Sequence, residues 1–238
     1  MSIMTMRWYD LCFLHWSLEP ALLQPFIPKG IELDLHHGQA WLGLVPFAMS
    51  SVKPRGMPFD VPPLTDFLEF NVRTYVRDRE VSGVWFFSLD AAQWLAVRVA
   101  RQLFHLPYFD ARMKAHWEQG WCHYETTRTH PGQLPYHFRG KYCPAGEVFA
   151  SQPGSLEEWL TERYWLFSQD TQGRLFRGRV HHQRWPLQRA EFHIESHDLE
   201  APLGFSLGGA PQSALFCPSI SVLADWLQPA SPTLRLRS

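Results

Sequence analysis

FLEFNVRTYVRDREVSGVWFFSLD, residues 67–90, is the stretch that decides the fold. Leu68, Phe70, Val72, Thr74 and Val76 alternate with Glu69, Asn71, Arg73, Tyr75 and Arg77, the period of two that sends successive side chains to opposite faces of a strand. DREVSG breaks the alternation and GVWFFSLD resumes it, so the stretch reads as two antiparallel strands joined by a turn. With the turn centred on residues 80 and 81, Arg73 lies opposite Ser88 and Asn71 opposite Asp90, on the face of Glu69; the other face pairs Val72 with Leu89 and Val76 with Trp85. One face is therefore apolar, and the other carries a carboxylate, an amide and a guanidinium. Glu69 and Arg73 sit about 13 Å apart at roughly 3.3 Å per residue, too far to pair directly. On the hairpin alone, that polar face reads as the wet side of an antiparallel sheet.

Working outward, Ser17 is a candidate N-cap for a short helix in LEPALLQPFIP, started by Pro20 and stopped before Pro28. IELDLHHGQAWLGLVPFAMSSV has two runs of strand character joined at His37-Gly38, as in a hairpin. The proline-rich residues 53–66 lack a period and read as a loop, a candidate lid. After the decisive hairpin, Asp90 opens a helix, AAQWLAVRVARQLF, with Gln93 in the capping-box position and a small-residue stripe of Ala92, Ala96 and Ala100. Strands return in ARMKAHW, WCHYETTRT and PYHFRGKYC. A helix over 156–164 follows, capped by Ser155 with Glu158, then a hairpin turning near 171–173 and final strands in PLQRAEFHIES and ALFCPSISVLAD. Strands and helices do not alternate regularly, which argues against a doubly wound fold and for a mainly β, antiparallel architecture closed into a barrel, with two or three peripheral helices. The expected organisation is one domain over 1–228 and a flexible tail over 229–238.

Lysine and arginine number 22 against 23 acidic residues, so no field draws in nucleic acid or an anionic membrane. The four cysteines are scattered without a C-x-x-C pair, which suggests neither a zinc knuckle nor a disulfide framework and fits reduced thiols in the cytoplasm. No apolar run reaches the roughly 18 residues of a membrane span, and Arg7 and Asp10 interrupt the N-terminus too early for a signal peptide. His181 and His182 would point to opposite faces of a strand, and His193 and His197 lie in strand-like FHIES, so neither a metal nor another cofactor is expected. Eleven tryptophans and seventeen phenylalanines are enough bulk to wall a cavity, a thick aromatic core being the plainer account. Exposed edges are invisible in sequence, which leaves a homo-oligomer open.

WYDLCFLHW, AWLGLVPFAM, EFNVRTYV, GVWFFSLDA, ARQLFHLPYF running into LPYFDA, LTERY and HHQRWPLQ resemble, in that order, the blocks of the YqjF-like family of uncharacterised bacterial proteins, placed in the acetoacetate decarboxylase-like superfamily. The resemblance spans roughly residues 8 to 190. It implies a cone-like antiparallel barrel with an internal cavity and moves Glu69 and Arg73 from a wet face towards that cavity. In the decarboxylases a segment reading Gly-Arg-Glu, two variable residues, Gly, one variable residue and Pro-Lys carries the lysine that forms a Schiff base, its amine kept reactive by desolvation and a cationic neighbour. Here Arg101 matches the arginine and Pro107 the proline, Gln102 and His105 replace Glu and Gly, and Tyr108 stands where the lysine would be. Without an amine there is no imine and no electron sink for decarboxylation. Lys114, the lysine nearest in sequence, would have to reach the same cavity from the next strand.

The candidate catalytic residues are Tyr108, as a phenol donating to a carbonyl or oxyanion, and Glu69, as its acid/base partner; that pairing requires the two to converge within about 6 to 8 Å. The candidate ligand-binding residues are Arg73, Asn71, Arg101 and Arg98. Arg98 and Arg101, three apart on one helix, could hold a ligand carboxylate or tie the helix to acidic neighbours on the sheet. The leading expectation is a cavity that binds a small organic carbonyl or carboxylate ligand without Schiff-base chemistry. The alternative is an acid/base lyase, hydratase or isomerase.

Overall fold

In the computed structural model, residues 2–56 and 66–230 are described. In chain order the strands are β1 (Ser2–Leu18), β2 (Glu32–Leu33), β3 (Ala40–Pro54), β4 (Phe67–Arg77), β5 (Ser82–Ala91), β6 (Tyr108–Glu118), β7 (Trp121–Arg128), β8 (His137–Phe149), β9 (Trp165–Gln169), β10 (Leu175–His181), β11 (Leu187–His197), β12 (Ser213–Asp225) and β13 (Gln228–Pro229). The helices are short: α1 (Pro20–Leu23), α2 (Trp94–Phe104), α3 (Leu156–Thr161) and α4 (Glu200–Leu203). Among the described residues no helix is long and apolar enough to cross a membrane.

Pairing runs from β5 through β6, β7, β8, β11, β12, β1 and β3 to β4, and β4 pairs back to β5, so the mostly antiparallel sheet closes on itself in the manner of a barrel. A second loop closes through β9 and β10, which bridge β5 to β12. The two loops share β12, β1, β3, β4 and β5, and each encloses its own core. Leu14, Trp16, Phe70, Val72, Tyr124, Phe138 and Tyr142 fill the first. Met6, Leu11, Phe13, Val45, Phe47 and Trp185 belong to the second. Phe70 is fully buried and contributes on the order of 2 kcal/mol by leaving water.

β1 carries a one-residue irregularity that explains how it serves both loops. Asp10 has a positive φ of 53°, and the register of β1 against β3 shifts between Tyr9 and Leu14. Such a bulge reverses the alternation, so Met6 and Trp8 before it face the same way as Leu11 and Phe13 after it. Tyr142 Oη holds the Asp10 carbonyl at 2.8 Å, and Trp117 Nε1 donates to its carboxylate at 2.9 Å.

The hairpin that decides the fold is present, with a corrected register. Asn71 pairs with Leu89 and Val72 with Ser88, after which the pairing slips so that Arg73 meets Phe86 and Val76 meets Gly83. The turn is centred one residue earlier because the Asp78 carboxylate accepts from the amides of Glu80 at 2.9 Å and Val81 at 2.8 Å, and Asp78 N donates to Val81 O. Phe87 is the extra residue of the resulting bulge. Ser88 and Asp90 consequently leave the Glu69 face, which is completed by Phe86, Leu89 and Ala91.

Asp90 opens no helix: β5 continues to Ala91, and Gln93 is the N-cap of α2, its side chain accepting from Leu95 N at 2.9 Å. Asp90 instead forms a buried bidentate pair with Arg128, 2.8 and 3.0 Å. The Ser155 cap of α3 is as expected, Glu158 N donating to Ser155 Oγ at 3.2 Å, but the helix stops at Thr161. His37 and Gly38 do form a tight reversal, closed by a His36–Gln39 bridge. The strand before it, β2, pairs with β4 and not with β3. Residues 57–65 of the candidate lid lie outside the described residues, as do residues 231–238 of the expected tail; Gln228 and Pro229 pair with β10.

Candidate functional site

Three consecutive same-face residues of β4, Glu69, Asn71 and Arg73, look into the second loop. Glu69 and Asn71 line an apolar cavity of about 150 Å³ whose walls include Met6, Phe67, Leu89 and, from α2, Ala96, Val99, Ala100 and Phe104. Asn71 and Arg73 line an adjoining smaller chamber of about 50 Å³ with Phe13, Arg163, His182 and Trp185. Trp8, Asn71, Phe86, Leu166 and Val180 face both spaces.

Tyr108 enters from the start of β6. His105 ends α2 with φ 49°, in the left-handed region, where a glycine would be unstrained. Leu89 N donates to Pro107 O at 3.0 Å, Tyr108 N to Leu106 O at 2.8 Å, and Tyr108 pairs in parallel with Leu89. That loop aims the phenol inward, and Tyr108 Oη donates to Glu69 Oε2 at 3.0 Å. The two candidate catalytic groups are thus in direct contact.

Glu69 is 2% exposed. Burial pushes its carboxyl up to about 8, against the opposing hydrogen bonds from Tyr108 and Asn71. At neutral pH the group is therefore mostly a neutral acid. Burial and the adjacent Glu69 also hold the Tyr108 phenol well above its ordinary range, so it stays a donor. A neutral carboxyl and a phenol side by side in an apolar cavity can hydrogen-bond a carbonyl oxygen or the negative charge that develops on it.

The structure does not bring the two helix arginines to this cavity. Arg98 forms a bidentate pair with Asp110 at 3.2 and 2.9 Å, and Arg101 Nη1 donates to the Tyr108 carbonyl at 2.7 Å, both on the outside of α2. The geometry is that of ties between helix and strand, and Arg101 clamps the backbone that presents Tyr108. Lys114 is exposed on β6 opposite Glu125 and is not among the cavity-lining residues. His181 lies beside Asp225 at 2.9 Å, and His182 Nδ1 beside Gln183 O at 2.7 Å.

Arg73 reaches the smaller chamber between the rings of Phe13, 5.5 Å away, and Tyr75, 5.9 Å away. Three of that chamber's residues have no role that the sequence discloses: Trp8, Arg163 and Trp185. Arg163 and Trp185 stand in LTERY and HHQRWPLQ, blocks whose resemblance is visible in sequence while their aim is not. Trp8 stands on β1, and the bulge at Asp10 hides its phase.

A family model described as "Uncharacterized conserved protein" matches residues 5–221. The "Uncharacterized protein YqjF" of Bacillus subtilis (strain 168) is 37% identical over 205 residues, covering 86% of this chain and 83% of that protein. Among solved structures, acetoacetate decarboxylase from Legionella pneumophila superposes with a TM-score of 0.62 at 14% identity, covering 97% of this chain and 88% of that one. An acetoacetate decarboxylase-like enzyme from Sphingomonas wittichii RW1 gives 0.64 at 12% identity, covering 98% and 94%. The enduracididine biosynthesis enzyme MppR complexed with pyruvate gives 0.63 at 11% identity, covering 97% and 92%. At these identities the structural likeness speaks for the fold.

Proposed function

This chain belongs to the YqjF-like family of uncharacterised conserved proteins, on an acetoacetate decarboxylase-like fold, and from that premise we propose that its cavity binds a small organic carbonyl or carboxylate ligand without Schiff-base chemistry. The observation that carries the reading is the Tyr108–Glu69 contact, 3.0 Å, at the wall of an apolar cavity. A phenol occupies the position from which the resemblance would have a lysine attack, and the neighbouring acid is held neutral, ready to donate to a ligand oxygen. Arg101 and Pro107 support the same reading from outside, since they position Tyr108 by its backbone.

The test is a thermal-shift screen of short 2-oxo acids, ketones and carboxylates, beginning with pyruvate, the compound bound in the MppR complex. A stabilising ligand whose effect is lost in Tyr108→Phe or Glu69→Gln supports the reading; a screen in which no carbonyl or carboxylate stabilises the protein rejects it. Borohydride added with pyruvate or acetoacetate should leave the mass unchanged. A covalent adduct would restore an amine mechanism and overturn the proposal.

One observation favours a second reading, an acid/base enzyme acting on an enolisable substrate: a carboxyl titrating at about 8 lies near working pH, where proton transfer in either direction is easy. Proton NMR of pyruvate in D₂O would detect methyl exchange. If Glu69 serves as the base, the exchange rate rises through pH 8 and Glu69→Gln abolishes it. No exchange above the buffer rate removes this reading for pyruvate and leaves binding alone.

A further inference from the structure

The smaller chamber contains polar atoms whose needs the protein does not meet. Trp8 Nε1, Trp185 Nε1, Arg73 Nε and Arg163 Nη2 are buried, and none has an acceptor within hydrogen-bonding distance among the described residues. All four belong to residues that line the same space. Four unmet donors gathered in one place are unusual, because each has given up its hydrogen bonds to water without gaining a partner. The electrostatics point the same way. Arg163 has its charge balanced by Asp34, 2.6 Å from Nη1, whereas Arg73 hydrogen-bonds the neutral Tyr75 hydroxyl and lies against the rings of Phe13 and Tyr75. No carboxylate is among the described residues lining this chamber. Donors without acceptors and a guanidinium set among aromatic rings are the complement of an anion with several lone pairs.

The larger cavity has the opposite character, being walled almost wholly by methionine, phenylalanine, leucine, valine and alanine side chains. At about 150 Å³ it matches the size of an apolar cavity known to accept benzene. Asn71 stands at the junction: its amide bonds Glu69, while its Oδ1 is unpartnered.

We propose that the ligand is a monocarboxylate bearing a benzene-sized apolar group, its carboxylate received by Trp8, Arg73, Arg163 and Trp185 in the smaller chamber and its apolar group filling the larger cavity, where a carbonyl carried on that group would meet Tyr108 and Glu69. This rests on the ligand-binding reading above and adds polarity, orientation and size to it. Arylacetic acids and alkyl acids with a chain of about six carbons belong to the class; acetate lacks the apolar group, and a dicarboxylate would bury a second charge among methionines and phenylalanines.

Titration calorimetry with phenylacetate, phenylacetamide and acetate, against wild type, Arg73→Gln and Trp185→Phe, tests it. Phenylacetate should bind at least about tenfold more tightly than phenylacetamide, as a charge-assisted contact requires, and more tightly than acetate. Arg73→Gln should weaken the acid more than the amide and so remove the preference for the acid, and Trp185→Phe should weaken the acid several-fold. Circular dichroism of each variant guards against loss of fold. Equal affinity for acid and amide would overturn the anion chamber and leave the ligand-binding reading standing. A preference that survives Arg73→Gln would overturn the assignment of the chamber, and no binding of any of the three would sink it together with the size argument.

Discussion

Glu69 is held where solvent cannot reach it, and its carboxyl titrates at about 8 against 4.5 in an unfolded chain. Between those values the folded protein binds the extra proton, so this group's contribution to stability is complete below about pH 4.5 and is lost as pH rises through 8. Denaturant melts of wild type and Glu69→Gln from pH 5 to 9 should therefore diverge, the variant losing less stability with rising pH, by an amount on the order of a few kcal/mol. Parallel curves would contradict the burial argument. Asp90 is buried as well, and burial likewise raises its carboxyl, but there a bidentate guanidinium, Arg128, opposes the rise. Arg128→Met strands it and should cost about 3–5 kcal/mol, read as a fall in Tm, with much of the loss recovered when Asp90→Asn is added. In sequence Asp90 has a plausible capping role because nothing local distinguishes a cap from a partner 38 positions away. Glu69 and Tyr108 are legible for a different reason: strand alternation fixes the face of one, and the reactive-lysine pattern singles out the other.

At the scale of elements, β4 and β5 are visible from their alternation, whereas their register depends on Asp78 folding its carboxylate over the turn and on the bulge at Phe87. Neither feature has a periodic signature, and a one-residue slip decides which side chains meet. α2 is visible too, and its small-residue stripe marks the inner face at Ala96 and Ala100; hidden in sequence is that this face, with Val99 and Phe104, walls a cavity while the arginines look outward. Val97 is its sole buried residue, so α2 should open at lower free energy than the strands around it. Hydrogen exchange followed by mass spectrometry should show α2 amides exchanging faster than those of β1 or β4 in the free protein. A bound carboxylate whose apolar group packs on Ala96 and Ala100 should slow that exchange and leave the strands unchanged. A helix as protected as β4 without ligand would refute this.

Across the whole molecule the decisive contact is the longest one. β1 lies between β3 and β12, and its residues 2–15 pair with residues 213–225, so the sheet cannot close until almost all the chain is present. Such non-local pairing slows folding and leaves edges open meanwhile. A chain ended at residue 210 lacks β12 and β13 and exposes one edge each of β1, β10 and β11; it should form aggregates in gel filtration in place of a folded monomer. A monomeric product with an unchanged circular dichroism spectrum would show that closure is dispensable. The extended character of β1 is clear in the structure and hidden in the sequence, because the reversal at Asp10 breaks the alternation by which strands are recognised.

β4 is a wall with a room on either side: Phe70 and Val72 furnish one, Glu69, Asn71 and Arg73 the other. A substitution that shifts the strand to suit one room moves the fittings of the other. In a saturation scan scored on ligand affinity alone, positions 70 and 72 will therefore mimic contact residues though they never meet the ligand. Scoring the same library for abundance would separate tenants from neighbours, since changes at 70 and 72 would depress both scores and changes at Arg73 only the first.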